Sequence, residues 1–212
     1  LGDVYKRQSN RYGICAQLIE AGFEVIDIGI CGDDVTELEQ TLRSALGQAD
    51  ALITSGGVSV GDYDVVKIVL EKLGDINFWR VAMKPGKPQA FGIADGKPIF
   101  GLPGNPVSAL ITADMFLVPT IYHLQGANAP QTRIVTARLT HNVASTAGRE
   151  DYVPGRFVPP PTITRGTESE ISQGNWVEPV FGKSNLIFTL VRADGLIVVP
   201  LNSNGLTSGT RA

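Results

Sequence analysis

Between residues 9 and 124, amphipathic helical stretches alternate with short, nearly uncharged runs, and this alternation restricts the chain to few architectures. Residues 9–21 carry Ile14, Leu18 and Ile19 at helical spacing, and Gly22 offers a left-handed stop. Residues 36–46 place Leu38, Leu42, Ala45 and Leu46 on one face before Gly47, and residues 64–73 do the same with Val65, Ile68, Val69 and Leu73 before Gly74. Between them lie the β-branched run 24–30 (EVIDIGI), the run 51–54 (ALIT) and the strand signal 78–82. Residues 89–93 and 98–101, with Asp95-Gly96 between, predict a hairpin, and 106–124 a packed apolar helix. Helices between short strands predict an α/β domain whose sheet is mostly parallel with helices on both faces. The expected domain spans 9–126, and from about residue 133 to 212 short strand-like runs and Pro159-Pro160-Pro161 predict a second, small all-β domain.

Composition excludes several function classes. Hydrophobic residues at 43% and charged residues at 18% are enough for a sizeable core and too apolar for a disordered chain. A net charge of −3 gives no electrostatic footprint for nucleic acid or anionic membrane. Two cysteines and two histidines build neither a disulfide scaffold nor a Cys/His zinc module, and Cys15 and Cys31, among apolar neighbours, read as small buried hydrophobes. No apolar run is expected to be long enough to span a bilayer and no signal peptide opens the chain, so the expectation is a soluble, cytoplasmic protein.

Glycine- or proline-rich loops at the expected strand ends carry the chemistry. Residues 54–64 (TSGGVSVGDYD) follow a buried strand and precede a helix, where glycines let backbone N–H groups approach a ligand and a helix N-terminus favours negative charge. Ser55 and Ser59 add hydroxyls; the same residues also suit a tight connection in which Asp62 and Asp64 satisfy first-turn amides. The segment has neither P-loop nor Rossmann glycine spacing. Arg80, Lys84 and Lys87 form a cationic series around the stiff turn Lys84-Pro85-Gly86-Lys87-Pro88, which suits a phosphate or tetrahedral oxyanion, or is a solvated turn. Leu102-Pro103-Gly104-Asn105-Pro106-Val107-Ser108 places Asn105 as N-cap and Pro106 at the first helical position, and its bent backbone can also present amides. Asp33-Asp34 reads as a helix cap or as carboxylates for Mg²⁺.

Together Ser9-Asn10-Arg11-Tyr12, residues 54–64, residues 78–88 (FWRVAMKPGKP) and residues 101–109 (GLPGNPVSA) resemble the MoeA family, the molybdopterin molybdenumtransferases that include the E domain of gephyrin. The resemblance runs from residue 9 to the end and implies a molybdopterin-binding fold. It implies insertion of molybdate into adenylylated molybdopterin with release of AMP, assisted by Mg²⁺. It casts Asp33 and Asp64 as acidic, metal-binding positions and Arg80, Lys84 and Lys87 as basic catalytic positions, Lys84 and Lys87 contacting molybdate or phosphate. Ser9, Asn10, Ser55, Gly56, Gly57, Ser59, Pro103, Gly104, Asn105, Pro106, Ser108, Arg149 and Ser184 are the implied substrate-binding set. The family is dimeric, which implies a homodimer, with other molybdenum cofactor synthesis proteins as further partners. The family also has an N-terminal half and a first strand for this domain that the chain lacks, and residues 1–8 (LGDVYKRQ), with Gln8 in place of the usual Asp, read as non-native sequence or as the start of a fragment. The alternatives are a pterin-binding scaffold without turnover, which would release no AMP, and a molybdopterin adenylyltransferase, which would consume ATP.

Overall fold

The computed structural model describes residues 2–32, 34–58, 65–130, 132–160, 174–182 and 187–211. They fall into two compact units, Leu1–Val81 with Gly86–Pro130, and Ala82–Pro85 with Gln131–Ala212. In the first unit, helix α1 (Gly2–Glu20) starts ahead of the expected position and stops where the sequence said it would. Gly22 takes φ +87°, its N–H donates to the Ile19 carbonyl at 2.9 Å, and the Phe23 N–H donates to Leu18 at 3.0 Å. This is the paired closure that glycine permits at a helix end. Helix α2 (Val35–Gln48) is capped by Asp34, whose Oδ1 accepts the Glu37 N–H at 2.8 Å, so of the two readings of Asp34 the cap is the one realised.

Strand β1 (Leu52–Ser55), helix α3 (Val65–Leu73) and strands β2 (Asp75–Arg80), β3 (Met83–Lys84), β4 (Pro88–Ala94) and β5 (Lys97–Leu102) follow. Within the first unit the sheet order is β1-β5-β4-β2. The β4–β5 hairpin forms at Asp95-Gly96, both at positive φ. The α/β class stands, but only β1 and β5 run parallel; β4 is antiparallel to both β5 and β2. Much of the expected parallel character rested on a strand at 24–30, and that stretch joins no sheet among the described residues. Its β-branched side chains supply strand propensity, yet a strand exists only by hydrogen bonding to a neighbour. Ile26, Ile28 and Ile30 are consequently half exposed, and Arg11 of α1 pairs with Asp27 at 3.1 Å.

Helices do cover both faces. Leu38, Leu42 and Leu46 of α2 and Val69, Leu70 and Leu73 of α3 bury against Leu52 and Ile99 on one face. Ile14 and Leu18 of α1, with Ala109, Ala113 and Leu117, bury against Phe100 and Leu102 on the other. Central β5 therefore sends Ile99 and Phe100 into opposite cores, which explains its nearly uncharged sequence. The last helical stretch of this unit is α4 (Pro106–Thr112), a π-helical turn (Ala113–Leu117) and α5 (Val118–Leu124). Pro119 has no N–H to give the Met115 carbonyl, and the widened turn lies just before it. By length and mean hydropathy of 1.4 this stretch would suffice to cross a bilayer, contrary to the sequence expectation. Its first part is nonetheless spent in the core, since Val107, Ala109, Ile111, Ala113 and Leu117 are all buried, while Phe116 and Leu124 are exposed.

The second unit is organised by β8 (Glu150–Val158). It pairs with β3 in parallel and with β9 (Asn175–Pro179) and β10 (Gly195–Val199) antiparallel, and β6 (Ala137–Leu139) adds in parallel to β9. A ribbon of β7 (Val143–Ala144) and β11 (Gly205–Leu206) and the short helix α6 (Phe188–Val191) complete it. Leu139, Val143, Val177, Ile197 and Val199 form its core.

Candidate functional site

Ser55 and Leu102 are register partners at the carboxyl ends of parallel β1 and β5, so the glycine-rich loop after Ser55 and the proline-glycine loop after Leu102 leave the sheet side by side. The carboxyl edge of parallel strands is where open α/β sheets bind ligands. Asn10, fully buried on α1, ties the loops together: its Nδ2 donates to Ser55 Oγ at 2.8 Å and to the Gly104 carbonyl at 2.9 Å. Ser55 Oγ donates onward to the Pro103 carbonyl at 3.3 Å, and the Gly56 N–H donates to the Leu102 carbonyl at 2.9 Å.

These bonds change what each residue can offer. The Ser55 hydroxyl and the Gly56 amide each already donate to a protein carbonyl of the partner loop. Gly56 also contributes space: at φ +90° a Cβ there would meet nothing within 4 Å. Gly57, at φ +75°, has the opposite constraint, because a Cβ would sit 2.2 Å from Val66 Cβ. Gly104 packs close to its partner loop, with an ideal Cβ only 3.6 Å from the Gly56 Cα. Asn105 is the N-cap residue of α4 with Pro106 behind it, but its side chain makes no capping hydrogen bond. Pro103, Pro106 and Ser108 are buried, and the Ser108 carbonyl accepts Thr112 Oγ1 at 2.8 Å.

The cationic turn is divided between the two units. Arg80 and Lys87 are exposed in the first, where the Val81 N–H donates to the Lys87 carbonyl at 2.8 Å and Gln89 Nε2 to the Gly86 carbonyl at 3.1 Å. Lys84 belongs to the second, on β3, where its register partner on β8 is Asp151. The Asp151 side chain is only 3% exposed and holds two cations: Lys84 Nζ lies 3.6 Å from Oδ2, and Arg149 Nε donates to Oδ1 at 3.0 Å. Beside it the Tyr152 hydroxyl donates to Glu150, and burial together with that carboxylate pushes the phenol up to about 12.

Asp33, Ser59, Asp64 and Ser184 lie outside the described residues, and Ser9 is half-buried on α1. Among the described residues no group of at least three His, Cys, Asp or Glu side chains gathers as a metal site, and Asp33 and Asp64, the two carboxylates expected to hold Mg²⁺, are not among them. A cavity of about 500 Å³ runs along the unpaired side of β1. Its lining includes Ile14, Ile26, Ile28 and Ile53 together with Arg11, Asp27, Thr54, Ser55 and Gly56, so it reaches the start of the glycine-rich loop. Sequence reasoning missed Asp151, although an acid two residues after Arg149 in a strand pattern was a usable signal, and it missed the tying task of Asn10.

Residues 4–123 match the family model described as "Probable molybdopterin binding domain", and residues 136–212 match the MoeA C-terminal region, domain IV. The chain belongs to the MoeA family. It is 40% identical over 199 residues to a molybdopterin molybdenumtransferase of Haemophilus influenzae, covering 92% of this chain and 48% of that protein. A second relative, molybdopterin molybdenumtransferase 1 of Mycobacterium tuberculosis, is 35% identical over 215 residues, covering 98% of this chain and again 48% of the relative. The chain thus spans about half the length of the curated relatives it matches. A crystal structure of the molybdopterin biosynthesis MoeA protein from Pyrococcus horikoshii superposes with a TM-score of 0.74 at 28% identity, over 95% of this chain and 46% of that one. MoeA membership accounts for the α/β unit followed by a small β unit.

Proposed function

We propose that this chain is the ligand-binding half of a cytoplasmic molybdopterin molybdenumtransferase, working as a homodimer and inserting molybdate into adenylylated molybdopterin with release of AMP. The observation that carries the reading is the junction at Ser55 and Leu102, where two loops are laced together at the carboxyl edge of parallel strands, in a chain whose relatives are named for this transfer. The phosphate-bearing pterin suits that edge, and molybdate, a tetrahedral oxyanion, suits fixed cations of the kind Lys84 and Arg149 present. Lys87 and Arg80 are exposed cations of the first unit, assigned to the same anionic substrates. The junction holds its bent backbone through Asn10, so the shape offered to ligand is set before ligand arrives. Asp33 and Asp64 are assigned to Mg²⁺, which would draw phosphate charge during release of AMP. The domains of this reading are 9–126 for pterin and 133–212 for the β domain.

The test is AMP release from adenylylated molybdopterin, with and without molybdate, by protein of the relatives' full length containing this chain. Lys84→Ala should lower molybdate-dependent release by more than about tenfold, the usual effect of deleting one fixed oxyanion donor. Wild-type turnover in that variant refutes the assignment of Lys84. Binding without any AMP release would leave a scaffold, and ATP consumption would indicate an adenylyltransferase.

A further inference from the structure

We propose that Asp151 is a positioning residue that sets the Lys84 and Arg149 cations as a pair for an oxyanion ligand; the proposal rests on the reading of Lys84 as a molybdate contact. A carboxylate this deeply enclosed is costly to keep unless charged partners repay its lost hydration. Asp151 has two such partners, one to each oxygen. Each partner remains well exposed, Lys84 at 58% and Arg149 at 38% of the side chain, so the cations face solvent while their common anchor does not.

The backbone makes this arrangement specific. Asp151 lies between strands, opposite Lys84 on β3 and Val199 on β10. The Glu150 N–H donates to the Ala82 carbonyl at 2.9 Å, fixing β3 against β8 beside the ion pair. Arg149 is bound through Nε, the inner nitrogen, which leaves the outer fork of the guanidinium beyond this contact. Two cations against one carboxylate leave one net positive charge at a fixed place. Lysine stems are otherwise mobile, and an anchored ammonium loses less freedom when an anion arrives. Asp151 therefore touches no ligand and acts through the two residues that do.

The experiment measures molybdate binding to the 212-residue chain by calorimetry at low ionic strength, with thermal melting and circular dichroism on each variant. Asp151→Asn should weaken molybdate about 10- to 100-fold, the range typical for the partner behind a ligand-holding residue. Asp151→Glu, which keeps the charge but moves it by one methylene, should fall between Asn and wild type. Lys84→Ala combined with Asp151→Asn should bind no more weakly than Lys84→Ala together with the loss through Arg149 alone, so the two effects fall short of additive. A purely structural salt bridge would lower the melting temperature and leave the affinity of the folded protein unchanged, which overturns the proposal. Wild-type affinity in Asp151→Asn while Lys84→Ala binds weakly overturns the proposal and spares the reading of Lys84. Wild-type affinity in both variants removes the two together. If Asp151→Asn does not fold, Asp151→Glu decides: weaker binding with wild-type circular dichroism supports the proposal, and wild-type binding refutes it.

Discussion

Replacing Asn10 by alanine tests whether the junction of the two loops is held by this one side chain. Asn10 is fully buried, and its Nδ2 is the donor to both Ser55 Oγ and the Gly104 carbonyl. Each bond contributes about 0.5–1.5 kcal/mol net, and each partner left without a donor in a buried place adds a desolvation cost of similar size. These costs sum to roughly 2–6 kcal/mol, and removal of the Asn10 Oδ1, which is buried without a hydrogen-bond partner, gives part of that back, leaving roughly 2–4 kcal/mol. That is a large part of the roughly 5–15 kcal/mol that holds a domain together. Urea unfolding of the chain should show the loss as a lower midpoint with an unchanged slope. Hydrogen exchange locates it: the Gly56 amide, bonded to Leu102 across the junction, should exchange about 30- to 700-fold faster if the loss is local opening. Asn10→Asp should be at least as damaging, because the carboxylate has the same shape but no donor for Gly104 and buries a charge. A loss below about 1 kcal/mol in Asn10→Ala, with Gly56 exchange unchanged, would refute the tie and leave loop geometry to the strands alone.

Two further outcomes follow from close packing and from titration. Gly101→Ala would place its Cβ 2.6 Å from Val58 Cγ1 and 2.8 Å from Ala90 Cβ, so it should cost about 1–3 kcal/mol in chemical unfolding by displacing the loop that Val58 anchors; a melting temperature equal to wild type would show the loop to be free to yield. Tyr152 has a folded value raised to about 12, above the ordinary value of about 10, so the protein holds its phenol neutral. The stability this contributes is complete below pH 10 and is lost as pH rises from 10 to 12; absorbance at the phenolate band should show one tyrosine titrating near 12, absent in Tyr152→Phe, and a titration near 10 would break the link to Glu150.

What the residues alone made legible was whatever local rules decide. The Gly22 stop, the Asp95-Gly96 hairpin, the apolar faces of α2 and α3 and the two-faced β5 all follow from propensity, turn chemistry and periodicity within a few positions. The expected strand at 24–30 did not form because strandhood depends on a neighbour in space, which no local pattern can report. The antiparallel return of β2 onto β4 was hidden for the same reason: a βα alternation predicts crossovers, while β2 and β4 here are joined without a helix, through residues 81–87 that include the two-residue β3, and fold back on each other.

The site shows the same division more sharply. Glycine and proline content marked residues 54–64 and 102–106 as loops; Gly56 and Gly57 do take positive φ, residues 59–64 lie outside the described ones, and the meeting of the two loops at Ser55 and Leu102 is what a parallel β1–β5 pair entails. Spacing could not say which donors remain for a ligand once the loops have bonded to each other. The Ser55 hydroxyl and Gly56 amide, apparent donors in one dimension, serve as mortar in three. Lys84 makes the complementary case. Taken alone its turn was better explained by solvent than by an anion, and it is the carboxylate buried on β8, 67 residues further along the chain, that gives the ammonium a fixed partner. Local sequence therefore names the flexible parts of such a site, and the buried partner that fixes them has to be found in space.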